Sequence, residues 1–186
     1  FGWYFDIYFK SPGLLVIWSL GISMLVLAAL VHLPRKFILA FSLLLIVGHN
    51  LLDTVHFKGN VFWAILHEFT FFKITDEVEF VVGYPIIPWI AVMALGYYFG
   101  AFYDKSYTGE KRKTLFSIIG ISALAAFVIL RFYNIYGDPV LYKDYDTLAK
   151  DLISFFNPSK YPPSLLYLLM TLGAAILFLA NTEKLK

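Results

Sequence analysis

Five stretches of the chain are apolar over nearly their whole length: Pro12 to Leu33, Phe37 to Leu52, Ile86 to Tyr103, Leu115 to Tyr133 and Ser164 to Ala180. The hydrocarbon core of a bilayer takes about 20 such residues as a helix, and a backbone in lipid has to satisfy its own hydrogen bonds. An all-α, polytopic bundle of about five spanning helices is therefore expected. Hydrophobic residues make up 60% of the chain, charged ones 15%, and the mean hydropathy is +0.72; soluble domains run closer to roughly half and a quarter.

Several function classes lose their support at once. The net charge is only +2, and the basic residues are scattered through loops, so no nucleic-acid partner is expected. The chain has no cysteine, which excludes disulfides, thiolate metal sites and a cysteine nucleophile. There is no Gly-rich phosphate loop, G-x-S-x-G elbow or H-E-x-x-H pair. The opening FGWYFDIYFK has neither an initiator Met nor the parts of a signal peptide, and the chain is expected to be a piece of a longer protein.

Lys and Arg near helix ends mark the cytoplasmic side. Arg35, Lys36, Lys105, Lys111, Arg112, Lys113, Lys184 and Lys186 all fall on one side of the expected bundle. The longer segments 53–85 and 134–163 hold Asp76, Glu77, Glu79, Asp138, Asp144, Asp146 and Asp151. The expectation is that these two segments and the N-terminus lie outside and that the C-terminus is cytoplasmic. Within 53–85, the run VFWAILHEFTFF at 61–72, with His67 and Glu68 embedded, reads as a short re-entrant or interfacial helix. The tyrosines of 134–163 form an aromatic belt, and Pro162 and Pro163 fit the start of the last helix.

The stretch GHNLLDTVH, residues 48–56, puts polar groups at the end of a very apolar segment. On a helix His49, Asp53 and His56 share a face. Three readings stay open: a general base with Asp53 orienting the His49 imidazole, a two-His, one-carboxylate metal site, or a helix end meeting water. Arg131 either snorkels to the interface or binds a carboxylate or phosphate, with Asn134 and Asp138 nearby. His32 reads as an interface residue. Gly96 and Gly100 form a G-x-x-x-G pair that points to a close helix contact.

The segments WSLGISMLVLAAL (18–30), GHNLLD (48–53), YPIIPWIAVMALGYYFGAFY (84–103), RFYNIYGDP (131–139) and SFFNPSKYPPSLLYLLMTLG (154–173), in this order, resemble bacterial membrane proteins related to the catalytic domain of heparan-alpha-glucosaminide N-acetyltransferase. The resemblance implies a single membrane domain over 1–186 that is the C-terminal part of a larger one, in a bacterial inner membrane. It implies transfer of an acyl group from cytoplasmic acetyl-coenzyme A, or another acyl-coenzyme A, to a sugar or glycan acceptor on the outer face. The family's acidic residue followed by LRG and a further His-bearing segment are not in this chain. The isolated chain is accordingly expected to be inactive. His49 and Asp53 are the catalytic candidates here, contacting the acceptor with Asn50 or tuning an upstream base. Arg131, Asn134 and Lys160 are candidates for anionic parts of donor or acceptor. No metal is expected, and an oligomer is left open. The alternative is a solute-binding or transport component without chemistry.

Overall fold

The computed structural model describes residues 11–183. FGWYFDIYFK and the tail residues Lys184 and Lys186, which enter the sidedness expectation, lie outside the described residues. The chain forms two compact units that divide between Tyr98 and Phe99.

The first unit runs β1 (Gly13–Leu14), α1 (Val16–Leu30), α2 (Arg35–Gly48) continued by a 3-10 turn (His49–Leu52), α3 (Val61–Leu66), β2 (Thr70–Lys73), β3 (Glu79–Val82) and α4 (Ile86–Gly100), whose last two residues belong to the second unit. Pro34 separates α1 from α2, because its ring disfavours helix at the preceding residue; its carbonyl then accepts from Phe37 N and Ile38 N to start α2. Leu30, Ile38 and Ala94 are buried together, with Val26, Leu27 and Phe41 against them. Ser23 Oγ donates to Ser19 O and Ser42 Oγ to Ile38 O, both at 2.7 Å, so these buried hydroxyls are satisfied within their own helices. Large apolar side chains point the other way: Ile17 is 86% exposed, Leu25 70% and Leu44 71%. Small polar groups inside and apolar groups outside are what a helix needs when its solvent is hydrocarbon.

The first apolar window does not form one long helix. Gly13 and Leu14 form a strand near its start, and α1 covers 15 residues, about 22 Å at 1.5 Å per residue. Among the described residues four helical segments are long and apolar enough to cross a membrane: Arg35–Leu52, Ile86–Tyr103, Gly109–Tyr133 and Leu165–Thr182. The molecule is mostly helical with one small sheet of order β1-β3-β2. β1 pairs parallel with β3 and β2 antiparallel, Thr70 opposite Val82 and Lys73 opposite Glu79. Gly13 is needed there, since a Cβ would lie 2.8 Å from Val81 O. The expected helix over 61–72 ends at Leu66, and the β-favouring TFFK run becomes β2 instead.

In the second unit α5 (Gly109–Tyr133) and α7 (Leu165–Thr182) pack along each other, with α6 (Leu148–Phe155) in the segment between. Thr108 and Ser164 cap α5 and α7 through their hydroxyls, and Asn134 closes α5 in the left-handed conformation at φ 49°. The close approach of the two helices is made by glycine. A Cβ at Gly120 would sit 2.6 Å from Leu177 Cγ and 2.9 Å from Gly173 O. Gly96 and Gly100 do not do this: a Cβ at either would meet nothing within 4 Å, so among the described residues the small-residue contact belongs to Gly120 and Gly173. Arg112 and Arg131 stand nineteen residues apart on α5, about 28 Å along its axis, close to the thickness of a hydrocarbon core. Arg112 pairs with Glu183 through two bonds of 2.5 and 2.6 Å and lies over the Tyr103 ring.

Candidate active site

The polar cluster of the first unit is assembled by three short pieces of backbone. α2 ends at Gly48, and the tighter turn that follows buries His49 and Asn50 while bringing Asp53 round beside Asn50. Asn60 caps α3 by accepting from Trp63 N at 3.0 Å, and α3 stops at His67, whose φ of −142° is no longer helical. His67 is thereby set against the α2 end, 3% exposed.

Asp53 is the joint. Its Oδ2 accepts from Asn50 Nδ2 at 2.7 Å, and its Oδ1 accepts from His67 Nε2 at 2.9 Å. The pairing differs from the one expected. Asp53 orients His67 and not His49, whose Nδ1 donates back to the carbonyls of Leu45 and Ile46, each at 3.0 Å. A histidine at a helix end meets the unpaired carbonyls of its own last turn first, and this competition removes His49 from the carboxylate. The His49 and His67 rings still meet edge to face at 6.1 Å. Trp63 closes the far side of His67 at 5.8 Å, with Phe57 at 5.3 Å from Trp63 and the indole N–H given to Val55 O.

His56 faces away from this cluster. It is 67% exposed and bonded to Glu68 at 3.0 Å, so His49, Asp53 and His56 do not converge as metal ligands; among the described residues no group of three His, Cys, Asp or Glu is placed to hold an ion. His67 was visible in the sequence only as a polar interruption of an apolar run. Nothing in the one-dimensional spacing links it to Asp53, fourteen residues earlier.

With Nε2–H donated to a carboxylate, His67 keeps its lone pair on Nδ1, and that atom is buried with no hydrogen-bond partner among the described residues. A buried imidazole nitrogen without a partner is costly. Held by a carboxylate on its other nitrogen, it is also the arrangement that accepts a proton, since the carboxylate fixes the tautomer and stabilises the imidazolium that forms.

The second unit holds the remaining candidates. Arg131 is 1% exposed and does not snorkel. It donates to Phe155 O at 3.1 Å, Ser154 O at 2.7 Å, Val140 O at 2.6 Å and Asn157 O at 3.5 Å. Two of these, Ser154 O and Phe155 O, are carbonyls that the last turn of α6 cannot pair, at the negative end of its dipole. Asp138 stands 3.8 Å from the guanidinium and accepts from Ser159 N, Ser159 Oγ and Ser164 Oγ. Asn134 pairs through both side-chain ends with the backbone of Tyr142. Lys160 is exposed, with its ammonium 5.2 Å from the Tyr161 ring, and its pKa is raised chiefly by a hydrogen bond to Tyr161.

Apolar helices with outward-facing aliphatic side chains define an integral membrane protein, and its first unit carries a histidine–carboxylate pair whose imidazole is buried. The sequence matches the family described as heparan-alpha-glucosaminide N-acetyltransferase, catalytic, over residues 4–136, and the chain belongs to that family. The match includes the whole His49, Asn50, Asp53 and His67 cluster. No curated protein and no solved structure matches the chain.

Proposed function

We propose that the protein transfers an acyl group from acetyl-coenzyme A, or a related acyl-coenzyme A, to an amino or hydroxyl group of a sugar, and that the Asp53–His67 pair serves the acceptor. The observation that carries this is the bond from His67 Nε2 to Asp53, with Nδ1 buried and without a partner among the described residues, in a chain of an acyltransferase family. In the reaction, the acceptor nitrogen or oxygen attacks the thioester carbonyl while its proton passes to His67 Nδ1. The carbon–sulfur bond then breaks and the coenzyme A thiolate leaves, to be protonated in turn. Asp53 stabilises the imidazolium, and Asn50 holds Asp53.

The proposed setting is a bacterial inner membrane with segments 53–85 and 134–163 outside and the C-terminus inside, which the Lys and Arg distribution supports. The donor then arrives from the cytoplasm and the acceptor from the outer face. The test uses the protein containing this chain at full length, reconstituted with acetyl-coenzyme A and glucosamine. Acetylated sugar formed at a rate proportional to protein supports the reading. Movement of unmodified glucosamine across the membrane, with no binding of acetyl-coenzyme A, would replace it by a transport function.

A further inference from the structure

A cavity of about 290 Å³ opens beside α6, and Arg131, Lys143 and Lys150 supply its charged lining. Among the described residues no carboxylate lines it. Three acids of the same segment are engaged elsewhere: Asp138 lies under Arg131, Asp144 accepts from the Tyr142 hydroxyl, and Asp151 accepts from Tyr145 N; the fourth, Asp146, is exposed and does not line the cavity. Among the described residues no ion pair engages Lys143 or Lys150. The guanidinium of Arg131 spends its hydrogen bonds on carbonyls and is balanced by Asp138 at 3.8 Å, so the two lysines carry the cavity's uncompensated positive charge and remain available to move onto a ligand.

The rim is of the opposite character. Val140 is 57% exposed, Leu141 54% and Ile153 68%, and all three line the same cavity. Next to them on α6, Leu148 is 74% exposed and Leu152 49%. A free inorganic anion has no use for such a rim. A membrane lipid does, because its phosphate is anionic and the chains that leave it are apolar. An amphipathic helix with lysines beside an exposed apolar face is also how a segment lies in the headgroup layer. We propose that this cavity binds the phosphate of an anionic phospholipid headgroup, with Lys143 and Lys150 as its ligands and the lipid's first methylenes over Val140, Leu141 and Ile153.

The test is made on the purified, delipidated full chain in detergent, with phosphatidylglycerol, phosphatidylcholine and inorganic phosphate as the three probes and native mass spectrometry as the readout. Lys143→Ala with Lys150→Ala should weaken phosphatidylglycerol binding about 30-fold, the equivalent of two lysine–headgroup attractions, and leave phosphatidylcholine unchanged. Lys143→Arg with Lys150→Arg should keep the binding. Lys58→Ala with Lys73→Ala, two exposed lysines of the first unit, should have no effect. Equal phosphatidylglycerol affinity in the alanine variant and the wild type overturns the site, as does loss of binding in the arginine variant while its fold is intact. Inorganic phosphate binding as tightly as the lipid overturns the lipid assignment.

Discussion

Asp53 holds His67, and not His49, through a 2.9 Å bond from the imidazole Nε2. The distinction matters because carbonyls, which are what His49 Nδ1 meets, do little to stabilise an imidazolium, whereas a carboxylate does so directly. His67→Ala and Asp53→Asn in the full-length protein should therefore each lower acyl transfer by about 10²-fold or more, and the double variant by little beyond either one, since the pair acts as a unit. His49→Gln should cost much less. Activity per folded molecule separates this from a packing defect: kcat should fall in both His67→Ala and Asp53→Asn while the thermal midpoint stays close to that of the wild type. An unchanged kcat per folded molecule would remove His67 from the chemistry.

The packing of α5 on α7 yields a matched comparison. Gly120→Ala forces a methyl to within 2.6 Å of Leu177 Cγ and 2.9 Å of a backbone oxygen, and the backbone cannot give way cheaply. Overpacking of this kind costs about 1–3 kcal/mol, which thermal unfolding in detergent would read as a lowered midpoint. Gly96→Ala, with open space around it, should be neutral or slightly stabilising, because alanine is the better helix former by up to about 1 kcal/mol. Equal effects at the two positions would refute the assignment of the tight contact.

Arg131→Lys should loosen α6 specifically. Lysine cannot present a planar fork to carbonyls of Ser154, Phe155 and Val140 together, and each buried carbonyl left without a donor costs about 1–3 kcal/mol. Hydrogen exchange should quicken over 148–157 and stay slow in α7. Uniform exchange across both would indicate that Arg131 does not fasten this helix.

The spanning helices and the polar cluster at the end of α2 were legible because hydropathy and local spacing are properties of contiguous sequence. The partner of Asp53 was not, because His67 reaches it only after α3 and the chain's reversal have closed the distance. Gly96 and Gly100 show the same limit. A G-x-x-x-G spacing reports a smooth helix face, and whether another helix lies on it depends on tertiary packing, which chose Gly120 and Gly173. Arg131 was recognised as a conspicuous charge, but its role as a cap for α6 required that α6 exist, and the short amphipathic run at 148–155 carries no strong signal of its own.

Tyr142 provides a pH-dependent readout outside the spanning helices. Its hydroxyl donates to Asp144 at 2.5 Å, and this bond, with desolvation and the charges of Asp144 and Asp151 adding to it, raises the phenol to about 12. A raised folded-state value means the folded protein holds the proton more tightly than the unfolded chain, whose tyrosines titrate near 10. The associated stabilisation is fully present below about pH 10 and is lost as pH climbs through about 12. An ultraviolet difference titration of wild type against Tyr142→Phe should show one phenol ionising near the upper value. Asp144→Asn should bring it down, and no movement would disprove the coupling.

The proposed sidedness can be checked without removing any native thiol, since the chain has no cysteine. Asp76, in the turn between β2 and β3, is 97% exposed, and Lys111 is exposed in the first turn of α5. Neither supports a contact on which the fold depends: Asp76 makes a surface pair with Lys73, which is worth at most about 1 kcal/mol. Asp76→Cys and Lys111→Cys should therefore fold and should react with a membrane-impermeant thiol reagent from opposite sides. In intact cells the first should label and the second only after permeabilisation. The reverse pattern would put the acidic loops inside and bring the acceptor, not the donor, to the Asp53–His67 cluster from the cytoplasm. Labelling of both from one side would require an odd number of crossings between them to become even, and the assignment of α4 as a span would fall with it.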